Sequence, residues 1–566
     1  YSVQGQRYAA GGAAQGGQFQ VNAYTTSFQG YPSVASDAEG GFVVVWDSDS
    51  SSGDTSYSSV HGQRYAAGGA ALGGQFQINT YTSGTQFSAS ISSNAGGDFV
   101  VVWSSSGSSG GDTSNTSVQG QRYTADGAAL EGQFQVNTYT TSIQFNPSVA
   151  SDAEGDFVVV WQSYGSSGGD TSYSSVQGQR YAAGGAALGG QFQVNTLTTS
   201  LQQYPSVASA ADGDFVVAWQ STGSSGGDTL NTSVQGQRYA AGGAALGGQF
   251  QVNTYTTSDQ RAPSVASATG GDFVVAWQSN GSSGGDALNY SVQGQRYAAG
   301  GAAQGGQFQV NTYTTNNQSY PSVASDTDGD FVVVWQSNGS SGGDTSGYSV
   351  QGQRYAAGGA LLGGQFQVNT DTLGFQRNPS VASDAEGDFV VAWQSTASSG
   401  GDTSSSSVQG QRFRVTGDLQ GRVFFDANAN GLQNAGELGI AGVTVELFDD
   451  TFALRRTVVT DGVGVYRLRP KEGSWLLRFV APPAWFTSRD VGGDDTLDSD
   501  ADPASGETAF FPVTINVLDT TIDAGFVVFP LFVDGFETNN TIRLSLIHIS
   551  EPTRRTPISY AVFCLK

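Results

Sequence analysis

The sequence predicts an all-β protein that begins with a β-propeller of 58-residue repeats and continues into a second, different domain. The first observation is a tryptophan that recurs at a step of 58 residues, or 57 at the first step, which is typical of tandem repeats. The second is the apolar, β-branched run that ends at each tryptophan, such as "FVVAW" at 215–219, which predicts a buried strand. The third is that no helical periodicity occurs within the repeats. The repeated tryptophans are Trp46, Trp103, Trp161, Trp219, Trp277, Trp335 and Trp393.

One repeat, 205–256, contains four segments with the character of β-strands. "PSVAS" begins with proline, where no ladder hydrogen bond is lost, and an Asp-Gly turn separates it from "FVVAW". "SVQGQRYA" follows a polar loop, and the alternating segment "QFQVNTYT" comes last. Four strands with one buried central strand form the pattern of a propeller blade. A β-solenoid is the alternative, although its coils are usually shorter.

The strand inventory predicts seven blades, with eight as the alternative. The first, second and fourth strands occur seven times, whereas the third occurs eight times. Because the last repeat lacks a fourth strand, we expect "QFQVNAYT" (18–25) to pair with "SVQGQRFRV" (407–415) and close the ring. The segment 1–8 would then be a surplus third strand.

We expect the polar residues that recur in every repeat to be structural. The arginine of "GQRY" is expected to bond a backbone carbonyl or a neighbouring aspartate, and the asparagine of "VNT" to bond loop backbone. An aspartate in each "GGDT" loop resembles the calcium-binding RTX nonapeptide, but a solvated turn is the preferred interpretation. The acids Asp326, Asp328 and Asp330 resemble a calcium loop that is not kept in the other copies. The loop aspartates are Asp54, Asp112, Asp170, Asp228, Asp286, Asp344 and Asp402.

The chain is strongly acidic, with a formal net charge of −25 from 48 Asp and Glu against 23 Lys and Arg. Such a charge repels nucleic acid and anionic membranes, so neither is an expected partner. No apolar run approaches the roughly 18 residues that a membrane span needs. Cys564 is the only cysteine, so we expect no disulfide to stabilise the fold.

No catalytic residue is predicted. His61 stands at a position that is glutamine in the other seven copies, which indicates a substitution at a structural position. Without His or Cys clusters, nucleophilic triads and most transition-metal sites are not available. No unique carboxylate pair stands out for glycoside hydrolysis.

The last 23 residues, Leu544–Lys566, differ in character from the rest of the chain and contain Cys564 and His548. Their sequence, "LSLIHISEPTRRTPISYAVFCLK", resembles a translated transposon-type sequencing adapter, which implies an artefact outside the fold. The chain also starts inside a repeat, so we expect its N-terminus to be cut. We therefore predict a repeat propeller at 1–416, a second domain at 417–528, a C-terminal tail at 529–543 and the adapter-like segment at 544–566.

The segment "DANANGLQNAGE" (426–437) matches the ligand spacing of a calcium loop, D-x-[DN]-x-[DN]-G-x5-E. Oxygen ligands at alternate positions, a glycine at the sharp turn and a closing bidentate glutamate are what Ca²⁺ requires. Two neutral asparagines among the ligands predict weak affinity, with Kd on the order of 10⁻⁴–10⁻³ M. The expected ligands are Asp426, Asn428, Asn430, the carbonyl of Leu432, Asn434 and Glu437.

The second region resembles the B-type domain, a Cna B-like and prealbumin-like domain, of serine-aspartate repeat adhesins. The resemblance covers 417–528 and rests on ordered motifs: "GRVFFDANANGLQNAGELGIAGVTVELFDD", "TDGVGVYRLRPKEGSWLLRFVAPPAWF", "DVGGDDTLDSDAD" and "TIDAGFV". It implies a calcium-binding β-sandwich that acts as a stalk or spacer on extracellular proteins. It also implies a further calcium site in the acidic segment, with candidate ligands Asp494, Asp495, Asp498, Asp500 and Asp502.

The leading hypothesis is a non-enzymatic, extracellular or cell-surface bacterial adhesion or recognition protein. Its propeller head would bind a protein or glycan ligand, its spacer would bind Ca²⁺, and the chain would be monomeric. The alternative is a lectin-like propeller with several equivalent sugar sites, which would gain avidity from repetition. A secreted glycan-active enzyme is the third and least favoured reading.

Overall fold

The computed structural model describes residues 13–25, 27–51, 54–107, 111–112, 115–164, 174–198, 200–222, 231–281, 289–339, 343, 347–396, 406–481, 485–491 and 493–527. They belong to two compact units, one ending at Val415 and one beginning at Thr416. Within the described ranges the regular elements are all β-strands, and no helix there is long and apolar enough to cross a membrane. The expected surplus strand 1–8, the tail 529–543 and the adapter-like segment 544–566 lie outside them, as do Asp170, Asp228, Asp286, Asp344 and Asp402.

The first unit contains seven four-stranded antiparallel sheets, which we number 1 to 7. Sheet 1 consists of β2 (Gln29–Ser36), β3 (Phe42–Ser51), β4 (Asp54–Tyr65) and β5 (Ala71–Gln77). Sheet 2 consists of β6 (Gln86–Ser93), β7 (Phe99–Ser106), β8 (Thr116–Tyr123) and β9 (Ala129–Gln135). Sheet 3 consists of β10 (Gln144–Ser151), β11 (Phe157–Tyr164), β12 (Ser174–Tyr181) and β13 (Phe192–Gln193). Sheet 4 consists of β14 (Gln202–Ser209), β15 (Phe215–Thr222), β16 (Thr232–Tyr239) and β17 (Ala245–Gln251). Sheet 5 consists of β18 (Gln260–Ser267), β19 (Phe273–Asn280), β20 (Tyr290–Tyr297) and β21 (Ala303–Gln309). Sheet 6 consists of β22 (Gln318–Ser325), β23 (Phe331–Asn338), β24 (Tyr348–Tyr355) and β25 (Phe366–Gln367). Sheet 7 consists of β26 (Gln376–Ser383), β27 (Phe389–Ser395), β28 (Ser407–Arg414) and β1 (Ala13–Gln20).

Sheet 7 joins the two ends of the first unit. Strand β1 pairs antiparallel with β28, with Phe19 opposite Gly410 and Gln20 opposite Gln409. Beyond the strand, the backbone amide of Val21 donates to Val408 O at 2.8 Å. The expected pairing of the two ends is therefore confirmed, but β1 pairs through 13–20 rather than through the predicted 18–25. It covers an edge of β28 that would otherwise present free backbone groups.

A repeated hydrogen bond links the first strands of consecutive sheets. The amide of Ile91 in sheet 2 donates to Ser33 Oγ in sheet 1 at 3.3 Å, and the amide of Val34 in sheet 1 donates to Ser380 Oγ in sheet 7 at 3.2 Å. Because the second bond joins the last sheet to the first, the contacts follow a closed cycle. The same bond occurs in the pairs Val149–Ser90, Val207–Ser148, Val265–Ser206, Val323–Ser264 and Val381–Ser322.

The seven repeated tryptophans are core residues, as predicted, and none has measurable exposure. Trp219 belongs to one apolar cluster with Val160 of sheet 3 and Val217 of its own sheet, so it packs between neighbouring sheets. Its Nε1 donates to Gln202 Oε1 at 2.8 Å, and the same tryptophan–glutamine bond recurs in every sheet. Each indole is thus buried without leaving its N–H unsatisfied.

The arginine of "GQRY" also has the structural role that was expected. Arg238 donates to Gly300 O of the next sheet at 2.7 Å, and Arg296 donates to Ala357 O at 2.6 Å. Arg412 of sheet 7 donates in the same way to Gly68 O of sheet 1, at 2.7 Å. The guanidinium groups therefore hold consecutive sheets together through backbone carbonyls.

The fourth strand differs from the prediction. It was expected to cover "QFQVNTYT" at 249–256, but β17 occupies 245–251, and its counterparts β13 and β25 have only two residues. Asn253 ends the strand because its Oδ1 accepts the amide of Val234 and its Nδ2 donates to Tyr255 O, at 2.8 and 2.9 Å. The expected bonding of this asparagine to loop backbone is confirmed, and that bonding turns the chain out of the sheet.

The second unit contains two four-stranded sheets around one core. The first has the order β32-β29-β35, with β36 also on β29, and the second has the order β31-β30-β33-β34. Val423 of the first sheet and Leu447 and Leu477 of the second are buried in the same apolar cluster. The strands are β29 (Asp418–Phe425), β30 (Thr444–Asp449), β31 (Leu454–Val459), β32 (Val465–Leu468), β33 (Gly473–Val480), β34 (Phe511–Val513), β35 (Leu518–Asp519) and β36 (Ala524–Phe526).

Candidate metal centre in the second unit

The loop that follows β29 is folded around the carboxylate of Asp426. This residue is 1% exposed. Its Oδ1 accepts a hydrogen bond from the amide of Asn430 at 3.2 Å, and its Oδ2 accepts one from the amide of Gly431 at 2.7 Å. Thr487 Oγ1 also donates to Oδ2, at 2.6 Å. Both oxygens of the first expected ligand therefore face the loop.

Asn428 and Glu437, two further expected ligands, are directed into the interior of the same loop. Asn428 Oδ1 lies 3.1 Å from the amide of Asn430. Glu437 reaches across the loop, with Oε1 2.9 Å from the amide of Ala427 and Oε2 2.7 Å from the amide of Asn434. A carboxylate that presents both oxygens to a loop suits the bidentate role of the closing residue in a calcium loop.

Leu432 and Asn434 complete the set of six. Asn434 Nδ2 donates to Leu432 O at 2.9 Å and to Asn430 Oδ1 at 3.1 Å. The Asn434 side chain is therefore within hydrogen-bond distance of both the Leu432 carbonyl and the Asn430 side chain. All six sequence-predicted ligands of 426–437 lie together, and together they supply the hard oxygen atoms that Ca²⁺ prefers.

Gly431 makes the sharp turn that the motif requires. Its φ is +81°, in the left-handed region. A Cβ there would lie 2.8 Å from Ser488 O and 2.7 Å from Val491 Cγ2. Glycine is needed both for the backbone conformation and for the space.

Three acids of the segment 490–502 form a second group. Asp495, Asp498 and Asp500 each offer a carboxylate oxygen, and these oxygens lie within 4.8 Å of one another. Asp498 is 4% exposed, and its Oδ1 has no hydrogen-bond partner among the described residues. Burial raises the pKa of Asp498, and burial together with the neighbouring carboxylates raises the pKa of Asp500 to about 8. The donor set and the unpartnered oxygen fit a divalent cation.

Asp494 and Asp502 are not in this group. Asp494 Oδ1 accepts the hydroxyl of Thr496 at 2.6 Å, and Asp502 Oδ1 accepts the amide of Ala504 at 2.8 Å. These hydrogen bonds lower the pKa of both carboxyls. Both residues stabilise local turns, and the structure does not bring them together with the other three.

Sequence reasoning missed Asp523, which lies beside the acidic group. Its amide donates to Asp500 Oδ2 at 2.6 Å, and its Oδ1 accepts the amide of Arg422. Burial raises the pKa of Asp523 to about 7. The available signal was a lone acid in the otherwise apolar run "TIDAGF", at a position where a free carboxylate is costly.

The two groups lie side by side. The amide of Gln433 donates to Leu497 O at 2.6 Å, and Leu432 forms an isolated antiparallel bridge with Asp498. The loop 426–437 and the acidic segment therefore share a boundary.

The candidate residues of the first unit are bonded within turns. Asp326 Oδ1 accepts the amides of Asp328 and Asp330, each at 3.0 Å. His61 lies 3.1 Å from Ser59 Oγ and 3.0 Å from Gln75 Nε2. The corresponding Gln119 makes the equivalent two bonds in sheet 2, which confirms that His61 occupies a structural position.

Comparisons with known proteins concern mainly the second unit. Residues 417–526 match the family described as the SdrD B-like domain, in agreement with the resemblance found in the sequence. The chain is similar to serine-aspartate repeat-containing protein D of Staphylococcus aureus (strain Newman), at 31% identity over 125 residues, which is 22% of this chain and 9% of that protein. It is also similar to serine-aspartate repeat-containing protein F of Staphylococcus epidermidis, at 31% over 137 residues, which is 24% of this chain and 8% of that protein. The chain thus spans less than a tenth of the length of these relatives.

Two solved structures are distantly similar to the chain. A Dyadobacter fermentans protein of unknown function covers 70% of this chain and 97% of its own, at 10% identity and a TM-score of 0.39. A fungal alcohol oxidase of the AA5 family covers 89% of this chain and 99% of its own, at 12% identity and a TM-score of 0.42. Similarities at this level carry no argument about function.

Proposed function

We propose that this protein is a non-enzymatic bacterial adhesion or recognition protein of the cell surface or exterior. In this proposal the first unit is a seven-bladed propeller head and the second unit is a calcium-stabilised spacer. The observation that carries it is the match of 417–526 to the SdrD B-like domain, together with the converging oxygens of 426–437. The ligand would be an extracellular protein or a glycan.

The propeller assignment is supported by the closed cycle of contacts. Seven sheets of equal strand number are linked from sheet 1 to sheet 7 and back through the same serine hydrogen bond. The pairing of β1 with β28 completes the last sheet with the first strand of the chain. Such closure leaves few exposed edges, which is the main structural advantage of a propeller.

The calcium assignment is supported by the oxygen donors of the loop and by one unsatisfied buried oxygen beside it. Asp426 and Glu437 direct four carboxylate oxygens to one interior, and a buried oxygen of Asp498 has no partner within the described part of the chain. Ca²⁺, when bound in the loop, would neutralise the negative charge of Asp426 and Glu437. The expected ligands of the ion are Asp426, Asn428, Asn430, Leu432 O, Asn434 and Glu437.

The hydrogen bonds that the acidic residues make support a structural rather than a catalytic role. Asp426 accepts hydrogen bonds from the loop backbone and from Thr487, and the other candidate carboxylates lie in turns or in the acidic group. In the first unit the repeats place equivalent side chains in every sheet, whereas an active site needs one asymmetric cluster. We therefore assign no reaction to this chain.

Calorimetry of the full chain with and without a calcium chelator tests the spacer. A ligand that binds only the folded state stabilises by about 2.7 kcal/mol at a hundredfold excess over Kd. The transition of the second unit should fall in temperature on chelation, while that of the first unit should not change. Glu437→Gln should reduce this response, whereas the exposed Glu472→Gln should leave it intact. Equal responses of the two transitions, or none in either, would refute the assignment.

A further inference from the structure

The seven repeats allow an internal comparison at the start of the first strand of each sheet. The glutamine that accepts the tryptophan N–H is the same in every copy and fully buried. The second residue after it changes from copy to copy, although the following "PSVAS" is nearly constant. The residues at this variable position are Tyr31, Ser88, Asn146, Tyr204, Ala262, Tyr320 and Asn378.

The backbone at the variable position is set by the fold. All seven residues have a left-handed conformation, with φ between 48° and 55°. The amide of this residue bonds the neighbouring sheet: that of Asn146 donates to Ser104 Oγ at 3.1 Å, and that of Asn378 to Gln336 Oε1 at 3.4 Å. Asparagine is among the residues that adopt this conformation most readily, and two copies have it.

Tyrosine is a poor choice for such a backbone, yet three sheets have it. Tyr31, Tyr204 and Tyr320 each have a φ of 51° and are 53%, 51% and 54% exposed. The strained conformation is therefore not compensated by full burial of the ring. The fold requires the left-handed backbone in all seven copies, but it does not require a bulky ring there, and such a ring has a local conformational cost.

Among the described residues, few charged groups lie near these tyrosines, Asp49 beside Phe28 being one of them, and this favours an uncharged ligand. Four sheets have an aspartate directly after their first strand, at the end opposite to the tyrosines: Asp37, Asp152, Asp326 and Asp384. At the tyrosine end, Asp259 is paired with Arg261, and Phe28 lies 5.9 Å from the ring of Tyr31. The ring of Tyr31 is thus supported on one side and open on the other.

We propose that Tyr31, Tyr204 and Tyr320 are three separate stacking platforms for a neutral polysaccharide. The apolar C–H face of a pyranose ring packs well on an open aromatic ring, whose hydroxyl can bond the sugar. A protein partner would be expected to contact one central cluster of anchors, whereas these rings lie on sheets 1, 4 and 6. Separate, equivalent and individually weak platforms suit a polymer of equivalent units, which gains avidity by occupying several of them.

This inference rests on the proposed recognition function and gives its ligand class. The test uses the full chain in affinity electrophoresis, with gels that contain dextran, a soluble β-1,4-glucan, a galactomannan or a xylan. We expect at least one polymer to retard the wild-type chain, with the triple variant Tyr31→Asn, Tyr204→Asn, Tyr320→Asn losing affinity by about tenfold or more. Its melting temperature should be unchanged or higher, because asparagine suits the left-handed backbone.

Leu361→Asn is the matched control, since it removes a side chain that is 60% exposed on the outer part of sheet 6. It should leave retardation unchanged. No retardation of the wild-type chain by any of the four polymers would overturn the inference, as would full binding by the triple variant.

A cell-binding assay separates this inference from the proposed function. Periodate treatment of whole cells, which oxidises glycan diols, should abolish binding of the chain if the inference holds. Loss of binding after protease treatment alone would indicate a protein partner, which would overturn the glycan assignment and leave the recognition function in place. Absence of binding to any cell surface would refute both.

Discussion

Replacing Asp47 by glutamine should stabilise the first unit at neutral and alkaline pH. Asp47 of sheet 1 is 3% exposed; its Oδ2 accepts the amide of Ser88 of sheet 2 at 2.9 Å, and its Oδ1 has no partner among the described residues. Sheets 3 to 7 have glutamine at this position and sheet 2 has serine. The other sheets thus meet the same structural need without a charge.

The magnitude follows from the pKa. Burial, opposed by hydrogen bonds from Ser88 and Ala89, raises the pKa of Asp47 from 3.8 to about 7. In the folded state the carboxyl therefore keeps its proton in a pH range where the unfolded chain has lost it, so stability falls as pH rises from about 4 to about 7. At about 1.4 kcal/mol per pKa unit, the full difference is on the order of 4 kcal/mol above pH 7. Below pH 4 the two proteins should differ little through this carboxyl.

Urea unfolding at pH 4.5 and pH 8, followed by tryptophan fluorescence, measures the effect. The gain in stability of Asp47→Gln over the wild type should be clearly larger at pH 8. Asp49→Asn, two residues further along β3, is the control, because its carboxyl only adds to the charge repulsion on Asp47 and should give a much smaller gain. An Asp47→Gln variant that is equally or less stable at pH 8 would show that the buried carboxyl is solvated or paired in solution.

The remaining predictions concern the repeat core and the chain end. Trp219→Ala should destabilise the first unit by roughly 3–5 kcal/mol in denaturant unfolding, because it empties a fully buried site; a loss below about 1 kcal/mol would contradict its place in the core. Asn253→Leu should cost about 1–3 kcal/mol, since it leaves the buried amide of Val234 without its acceptor, whereas the exposed Thr254→Ala should cost little. Deleting 544–566 should leave the melting temperature unchanged, and a clear decrease would show that this segment belongs to the fold.

The repeat made much of the first unit predictable from the sequence. The tryptophan spacing identified the buried second strand, and the strand count identified the pairing of β1 with β28, because both depend on local pattern and counting. The fourth strand was misplaced because alternation in "QFQVNTYT" resembles a strand, while the side-chain bonds of Asn253 that end it are long-range. The ligand set of the loop 426–437 was predictable from the sequence because the ligands lie within one short segment. The role of Asp523 was not, since it meets Asp500 only through the folding of β36 against β29.

Departures from the repeat fall into two kinds, and burial separates them. Asp47 and His61 replace residues at buried positions; His61 reproduces the bonds of the glutamine that it replaces, and Asp47 brings a charge that the site does not need. Neither presents a new surface to solvent. Tyr31, Tyr204 and Tyr320 lie at an exposed position where the copies differ, in a conformation that disfavours a bulky side chain. A residue that recurs at such a position against a local conformational cost, without full burial, is better explained by a contact outside the chain than by the fold. In a protein made of near-identical units, function is therefore to be sought at the exposed positions where the units differ.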